Sequence, residues 1–187
     1  MKNKTTTQKK SAHIVNAFLE KQGLHKKDFA EMIGVTLSYV YNLIDESLPF
    51  STRSTTLERI ATVMEIDPEI FEEYKIPQEP QFIDESILFI KDILKDTKTS
   101  VVSFLKAFPR KKRLNIVDIL RGATPLPIDY QELNMIGQTL NLNKKDIFAL
   151  WEKRMREVLE INGMNIYANS SLINTIFECA KKEIQVD

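Results

Sequence analysis

The chain has 187 residues, with 26 lysines and arginines against 26 aspartates and glutamates, so its formal net charge is zero. Hydrophobic residues make up 43% and charged residues 28%, which excludes a wholly disordered or collagen-like chain and allows one large or two small domains. Zero net charge gives no global attraction to nucleic acid, so any such role must come from local charge.

The N-terminus, MKNKTTTQKK, is polar and basic: Lys2, Lys4, Lys9 and Lys10 meet no acid before residue 12. No apolar stretch follows at once, so a secretory signal is not expected. Residues 1–10 read as a basic tail that could lie along a nucleic-acid backbone. No apolar run approaches the ~18–20 residues of a membrane span, so no membrane partner is expected. The single cysteine, Cys179, cannot pair within the chain. It fits a reducing, cytoplasmic location and reads as a partly buried small apolar group.

Most of the chain repeats with helical period. Ile14, Val15, Phe18 and Leu19 share one face, as do Leu57, Ile60, Ala61 and Met64, and then Ile87, Phe89, Ile90, Ile93 and Leu94. No segment alternates strictly between hairpin turns, so the fold is expected to be all-α. A first helix is predicted from about Ser11 to Gln22, ended by Gly23. Leu24 to Ile44 then reads as helix, tight turn, helix. Ala30 faces the partner helix, Gly34 makes the turn and Thr36 caps the second helix. Val40 and Leu43 face the core, leaving Leu37, Ser38, Tyr41 and Asn42 outward. Thr55 with Glu58 suggests a capping box for a fourth helix, and Asp67-Pro68 the start of a fifth.

The pattern L-x₄-F-A-x₂-I-G-V-T-x-S-x-V-x₂-L runs from Leu24 to Leu43, and L-x₂-I-A-x₂-M-x-I-D-P-x-x-F from Leu57 to Phe71. On these residues, the segment from about Ser11 to Tyr74 resembles the five-helix domain of phage-repressor/Cro-type (XRE-like) helix-turn-helix regulators. The resemblance covers about one third of the chain. It implies that the helix from Thr36 enters the major groove of double-stranded DNA. Thr36, Leu37, Ser38 and Asn42 fall where the family reads bases or adjacent phosphates, with Tyr39 and Tyr41 beside them. Lys26, Lys27 and Arg53 fall at or beside backbone-contact places, Lys26 aided by the positive end of its helix. The chain also departs from the pattern. Leu37 replaces a common polar base reader and can offer only apolar contact, as to a thymine methyl. His25 replaces a common Thr or Ser cap, and the usual proline before the fourth helix is absent.

The stretch from Glu65 to Glu85 is strongly acidic, with Lys75 the lone base, and reads as a solvated face kept away from DNA. Within it, Ile76-Pro77-Gln78-Glu79-Pro80 has two prolines and no periodicity, so a linker is placed at residues 76–83. The organisation expected is therefore a DNA-binding domain over residues 11–75 and a second helical domain over residues 84–187.

Part of that second domain reads as a degenerate repeat. A shift of 76 positions carries Leu57, Ile60, Ala61, Met64 and Ile66 onto Leu133, Ile136, Gly137, Leu140 and Leu142, and Val40, Leu43 and Ile44 onto Ile116, Ile119 and Leu120. Residues 86–151 are thus expected to copy the first domain. In the copy, the place of the groove-entering helix holds the basic cluster Arg110, Lys111, Lys112 and Arg113. The readings that follow are a second, phosphate-directed DNA surface, or a basic helix start that either faces solvent or pairs with the acidic stretch. Two linked domains would let one chain act as a pseudo-dimer, and a homodimer is the other arrangement. After Glu152 two helices are expected, broken at Asn162-Gly163, closing the second core or forming a dimer seam.

Enzyme readings are weak. His13 and His25 are the only histidines, and no HExxH, CxxC, GxGxxG or P-loop pattern occurs. No catalytic residue, metal or cofactor is expected. Trp151 and Met135 read as core residues. The sequence thus points to a transcriptional regulator that reads specific DNA, with an antitoxin-like or adaptor protein, whose second domain binds a protein partner, as the alternative.

Overall fold

The structure, a computed structural model, describes residues 4–48, 50, 52–75 and 85–185; for residues 4–10 and 85 it describes the backbone alone. The described residues form ten α-helices and one 3-10 turn and no strand, so the fold is all-α. The chain divides into two compact units, Met1–Thr124 and Pro125–Asp187.

The first unit holds α1 (Lys4–Lys21), α2 (Lys26–Ile33), α3 (Leu37–Ile44), α4 (Ser54–Met64), the 3-10 turn Pro68–Ile70, α5 (Glu85–Asp96), α6 (Val101–Lys106) and α7 (Arg110–Leu120). Helix α1 begins seven residues before the expected Ser11, within the segment read as a tail. The side chains of Lys4, Lys9 and Lys10, and all of Lys2, lie outside the described residues. Gly23 ends α1 with φ +54, and Gly34 ends α2 with φ +71. At Gly34 a side chain would also collide, since a Cβ there would sit 2.8 Å from the Leu114 methyls.

Two sequence expectations fail at α4 and just beyond it. The helix starts at Ser54, so Thr55 is helical and the Thr55–Glu58 capping box does not form. Glu58 turns inward instead, where its carboxylate binds Arg121 and accepts the Tyr74 hydroxyl proton at 3.1 Å. Asp67 does cap the next element by accepting from the Glu69 amide, and Pro68 sits at its first position. The fifth helix, however, is only the single turn Pro68–Ile70. Phe71 leaves that turn to stack on Phe50 inside the core.

Helices α1 and α2 pack on α3, α2 packs also on α4 and α7, and α6 and α7 pack on α4. Phe29, Met32, Ile33, Leu57, Ile60, Phe104, Leu105 and Leu120 are fully buried together. Burying each such side chain contributes roughly 1.5–3 kcal/mol before chain entropy is subtracted. The division between units therefore falls at Thr124–Pro125, not at the expected 76–83, because α5, α6 and α7 bury their apolar faces in the first unit. The expected linker, 76–83, lies outside the described residues.

The second unit holds α8 (Tyr130–Thr139), α9 (Lys144–Ile161) and α10 (Ser170–Ile184). Asp129 and Asn143 cap α8 and α9 by accepting from Glu132 and Asp146 amides. Gly137 lets α8 and α9 touch: a Cβ there would lie 2.4 Å from Ile147 Cγ1. Ile173 and Phe177 of α10 close the core on Phe148, with Trp151 and Met155 against it. The Trp151 ring meets Tyr130, Phe148 and Phe177, and its indole N–H donates to the Ile128 carbonyl at 2.9 Å. Cys179 is exposed rather than partly buried. The buried stripe of α10 passes through residues 173 and 177, and position 179 lies off it.

Candidate nucleic-acid interface

The face singled out by the sequence is built by α2, α3 and the loop before α4. Thr36 is extended (φ −75°, ψ 154°), and its hydroxyl accepts from the Tyr39 amide at 3.2 Å, which starts α3 sharply after the Gly34 turn. The α3 period then sorts its side chains. Val40, Leu43 and Ile44 are buried, while Leu37, Ser38, Tyr41 and Asn42 are exposed. Leu37 and Tyr41, at 38% and 52% exposure, are large apolar groups left in solvent one helical turn apart. Tyr39 is placed differently from its neighbours: it is half-buried, and its hydroxyl is hydrogen-bonded to the Thr52 hydroxyl. It braces the loop to α4 more than it presents to the outside.

Basic groups border this face. Lys26 and Lys27 begin α2 and are exposed. The Lys26 ammonium lies 4.9 Å from the Tyr41 ring centroid, within cation–π range, so it is held over the α3 surface. His25 precedes α2 without a side-chain cap, leaving first-turn amides of that helix without a side-chain acceptor. Arg53 is exposed at the N-cap position of α4 and caps nothing with its side chain. An open groove joins Lys26, Lys27, Leu37 and Tyr41, and Arg110 forms part of its wall.

The basic cluster is not on a separate domain. Arg110 reaches Asp28 at 3.2 Å and Glu31 at 3.4 Å on α2. Arg113 is buried, 3.7 Å from Asp28, and its Nε donates to the Phe108 carbonyl at 3.2 Å. Leu114, one residue on, covers Gly34. Two of the four cluster residues thus fasten α7 to α2, while Lys111 is exposed and Lys112 half-buried. The signal was present in the sequence: acids three apart at Asp28 and Glu31, bases three apart at Arg110 and Arg113. What the sequence lacked was any sign that the two helices touch.

The acidic stretch is partly structural as well. Glu73 accepts the Ser11 hydroxyl proton at 2.8 Å, and Glu65 accepts the Val101 amide proton. Ser47 donates to Asp45 just after α3, holding that carboxyl below the usual carboxylate range. Among the described residues no group of His, Cys, Asp and Glu could hold a metal ion, and no helix is long and apolar enough to cross a membrane. No protein-family model, curated protein or solved structure matches the chain.

Proposed function

We propose that the chain is a DNA-binding transcriptional regulator of the phage-repressor type that reads a short duplex site with the exposed face of α3. The observation that carries this reading is the sorting of α3 behind the Thr36 cap: Leu37, Ser38, Tyr41 and Asn42 stand outward, with Lys26, Lys27 and Arg53 exposed around them. In this reading Ser38 and Asn42 hydrogen-bond base edges and Leu37 meets a thymine methyl. Lys26, Lys27 and Arg53 meet phosphates, which position the protein without specifying sequence. Arg110 belongs to the same interface, not to a second one, because it borders the groove between α2 and α3.

The test is selection of binders from a randomised duplex pool by the full chain, at low and moderate salt. An enriched motif supports the reading. Replacing Asn42 by Ala should then cost ~1–3 kcal/mol at one or two positions of that motif. Replacing Lys26 by Ala should weaken all duplexes alike and lower the salt slope by about one. No enrichment at either salt overturns it.

The adaptor reading keeps one observation of its own. In the second unit Ile161, Tyr167, Leu172 and Ile176 are exposed, at 54% or more, although Ile173 and Phe177 beside them are buried. Apolar exposure of this kind is how partner surfaces look. Failure of the duplex selection would move the function there.

A further inference from the structure

A cavity of about 730 Å³ opens in the first unit between α4, α5, the start of α6 and the end of α7. That volume is within the range of small-molecule sites. Its surface carries two chemistries. Ile66, Leu94 and Val101 supply apolar wall. Lys91 and Lys95, four apart on one face of α5, and Lys98, in the turn just past its end, supply three ammonium groups.

The acids that also line the cavity are already engaged. Glu58 binds Arg121 and the Tyr74 hydroxyl, and Glu65 takes the Val101 amide proton. Arg121 in turn is satisfied by Glu58 and by Asp118 at 3.2 Å. No such partner joins Lys91, Lys95 or Lys98 to any other described residue. Among the described lining residues the charges are therefore unequal, Lys91, Lys95, Lys98 and Arg121 against Glu58 and Glu65, and cationic charge prevails. Partial burial pushes the Lys91 pKa below the ordinary lysine value.

We propose that this cavity binds a small organic anion, its apolar body against Ile66, Leu94 and Val101 and its phosphate or carboxylate head among Lys91, Lys95 and Lys98. The assignment does not depend on DNA binding. An anion with an apolar body uses both chemistries at once; a neutral apolar molecule leaves the lysines unanswered, and a bare inorganic ion leaves the apolar wall in water.

The test titrates the full ¹⁵N-labelled chain with phenyl phosphate, with benzyl alcohol as the neutral counterpart and inorganic phosphate as the head alone. Saturable amide shifts confined to residues 91–101, the facing part of α4 with residues 65–68, and the end of α7 at Leu120 and Arg121 are expected with phenyl phosphate. Benzoate, tested beside it, separates a phosphate preference from a carboxylate one, and either satisfies the proposal. Lys91→Gln and Lys98→Gln should each weaken phenyl phosphate at least about fivefold, as loss of a charge-assisted hydrogen bond at an open site does. Their spectra report folding in the same experiment. Equal binding of benzyl alcohol, binding unchanged by both substitutions, shifts spread outside the cavity, or no saturation with either anion would overturn the proposal.

Discussion

The Glu58–Arg121 pair makes an unequal prediction about its two halves. The Glu58 side chain is 5% exposed and Arg121 15%, and the pair joins α4 to α7. Arg121 has a second carboxylate, Asp118, which also takes Arg59 at 3.0 Å. Among the described residues the Glu58 carboxylate has only the Tyr74 hydroxyl besides. Breaking a buried pair from one side costs ~3–5 kcal/mol when the remaining charge is stranded. Arg121→Met strands the Glu58 carboxylate, so the cost should lie in that range. Glu58→Gln leaves Arg121 with Asp118 and leaves an amide that still accepts from Tyr74, so ~1.5–2.5 kcal/mol is expected. Native-state hydrogen exchange on the full chain reads this locally, since ~1.4 kcal/mol is tenfold in protection. Peptides from α4 and α7 should lose on the order of 10–60-fold protection in Glu58→Gln, and at least a few times more than that in Arg121→Met. Peptides from α8 to α10, in the other unit, serve as the reference. The double variant Glu58→Met with Arg121→Met should recover most of the loss, because two apolar groups leave no stranded charge. Equal losses from the two single variants, or a double variant as poor as Arg121→Met, would refute the reasoning.

Gly137→Ala should destabilise the second unit by ~1–3 kcal/mol through overpacking against Ile147, an effect that exceeds the ~1 kcal/mol an alanine adds to helix propensity. Trp151 fluorescence during thermal unfolding reads that same core. Gly34→Ala should cost the first unit ~1–2 kcal/mol for its left-handed backbone, with a further loss wherever the Leu114 methyls cannot move aside; circular dichroism during urea unfolding measures it. Burial, then the hydrogen bond to Glu58, raises the Tyr74 pKa above the ordinary value of about 10. The folded state then holds the phenol proton more tightly than the unfolded state. Its contribution to stability is full below pH ~10 and is lost as pH rises through the raised value. Burial raises Tyr130 as well, so absorbance at 295 nm should show two tyrosines ionising late, and Tyr74→Phe should remove one of them.

The elements of the first half were legible because local chemistry fixes them. Gly34 is where a left-handed backbone is needed, Thr36 is where a hydroxyl can cap α3, and the period of Val40 and Leu43 fixes which face of α3 goes inward. The outward set followed from that period alone. Tyr39 did not follow, since its hydroxyl is spent on Thr52, thirteen residues away across a loop. The capping box failed for the same kind of reason. Glu58 suits both a helix start and a buried ion pair, and the deciding partner, Arg121, is sixty-three residues distant. In the second unit, the expected break at Asn162-Gly163 is present, with Gly163 at φ +83. The core positions of α10 were only half separable. Leu172, Ile173, Ile176 and Phe177 are all apolar, and packing on Phe148 takes just Ile173 and Phe177.

The largest departure from expectation concerns α7, and it follows from one sequence fact read in a different frame. A shift of 76 positions aligns α3 with α7, and the two helices are alike in their setting: each follows a short helix and a three-residue connection. They differ in what the connection permits. Gly34 turns left-handed and leaves α3 with an outward face. Ala107 stays right-handed, and Pro109 precedes an α7 in which Arg113, Ile116, Val117, Ile119 and Leu120 are all buried. On an α7 so occupied, Arg110, Lys111 and Asn115 are the exposed residues. Its bases answer Asp28 and Glu31, two acids that would otherwise stand on α2 close to Lys26 and Lys27. Neutralising those acids leaves the α2–α3 face more positive than its own helices would make it, since at this range the carboxylates would oppose any anionic partner. If α3 reads DNA, Arg110 and Arg113 therefore serve that reading by answering Asp28 and Glu31, with Arg110 at the edge of the same groove.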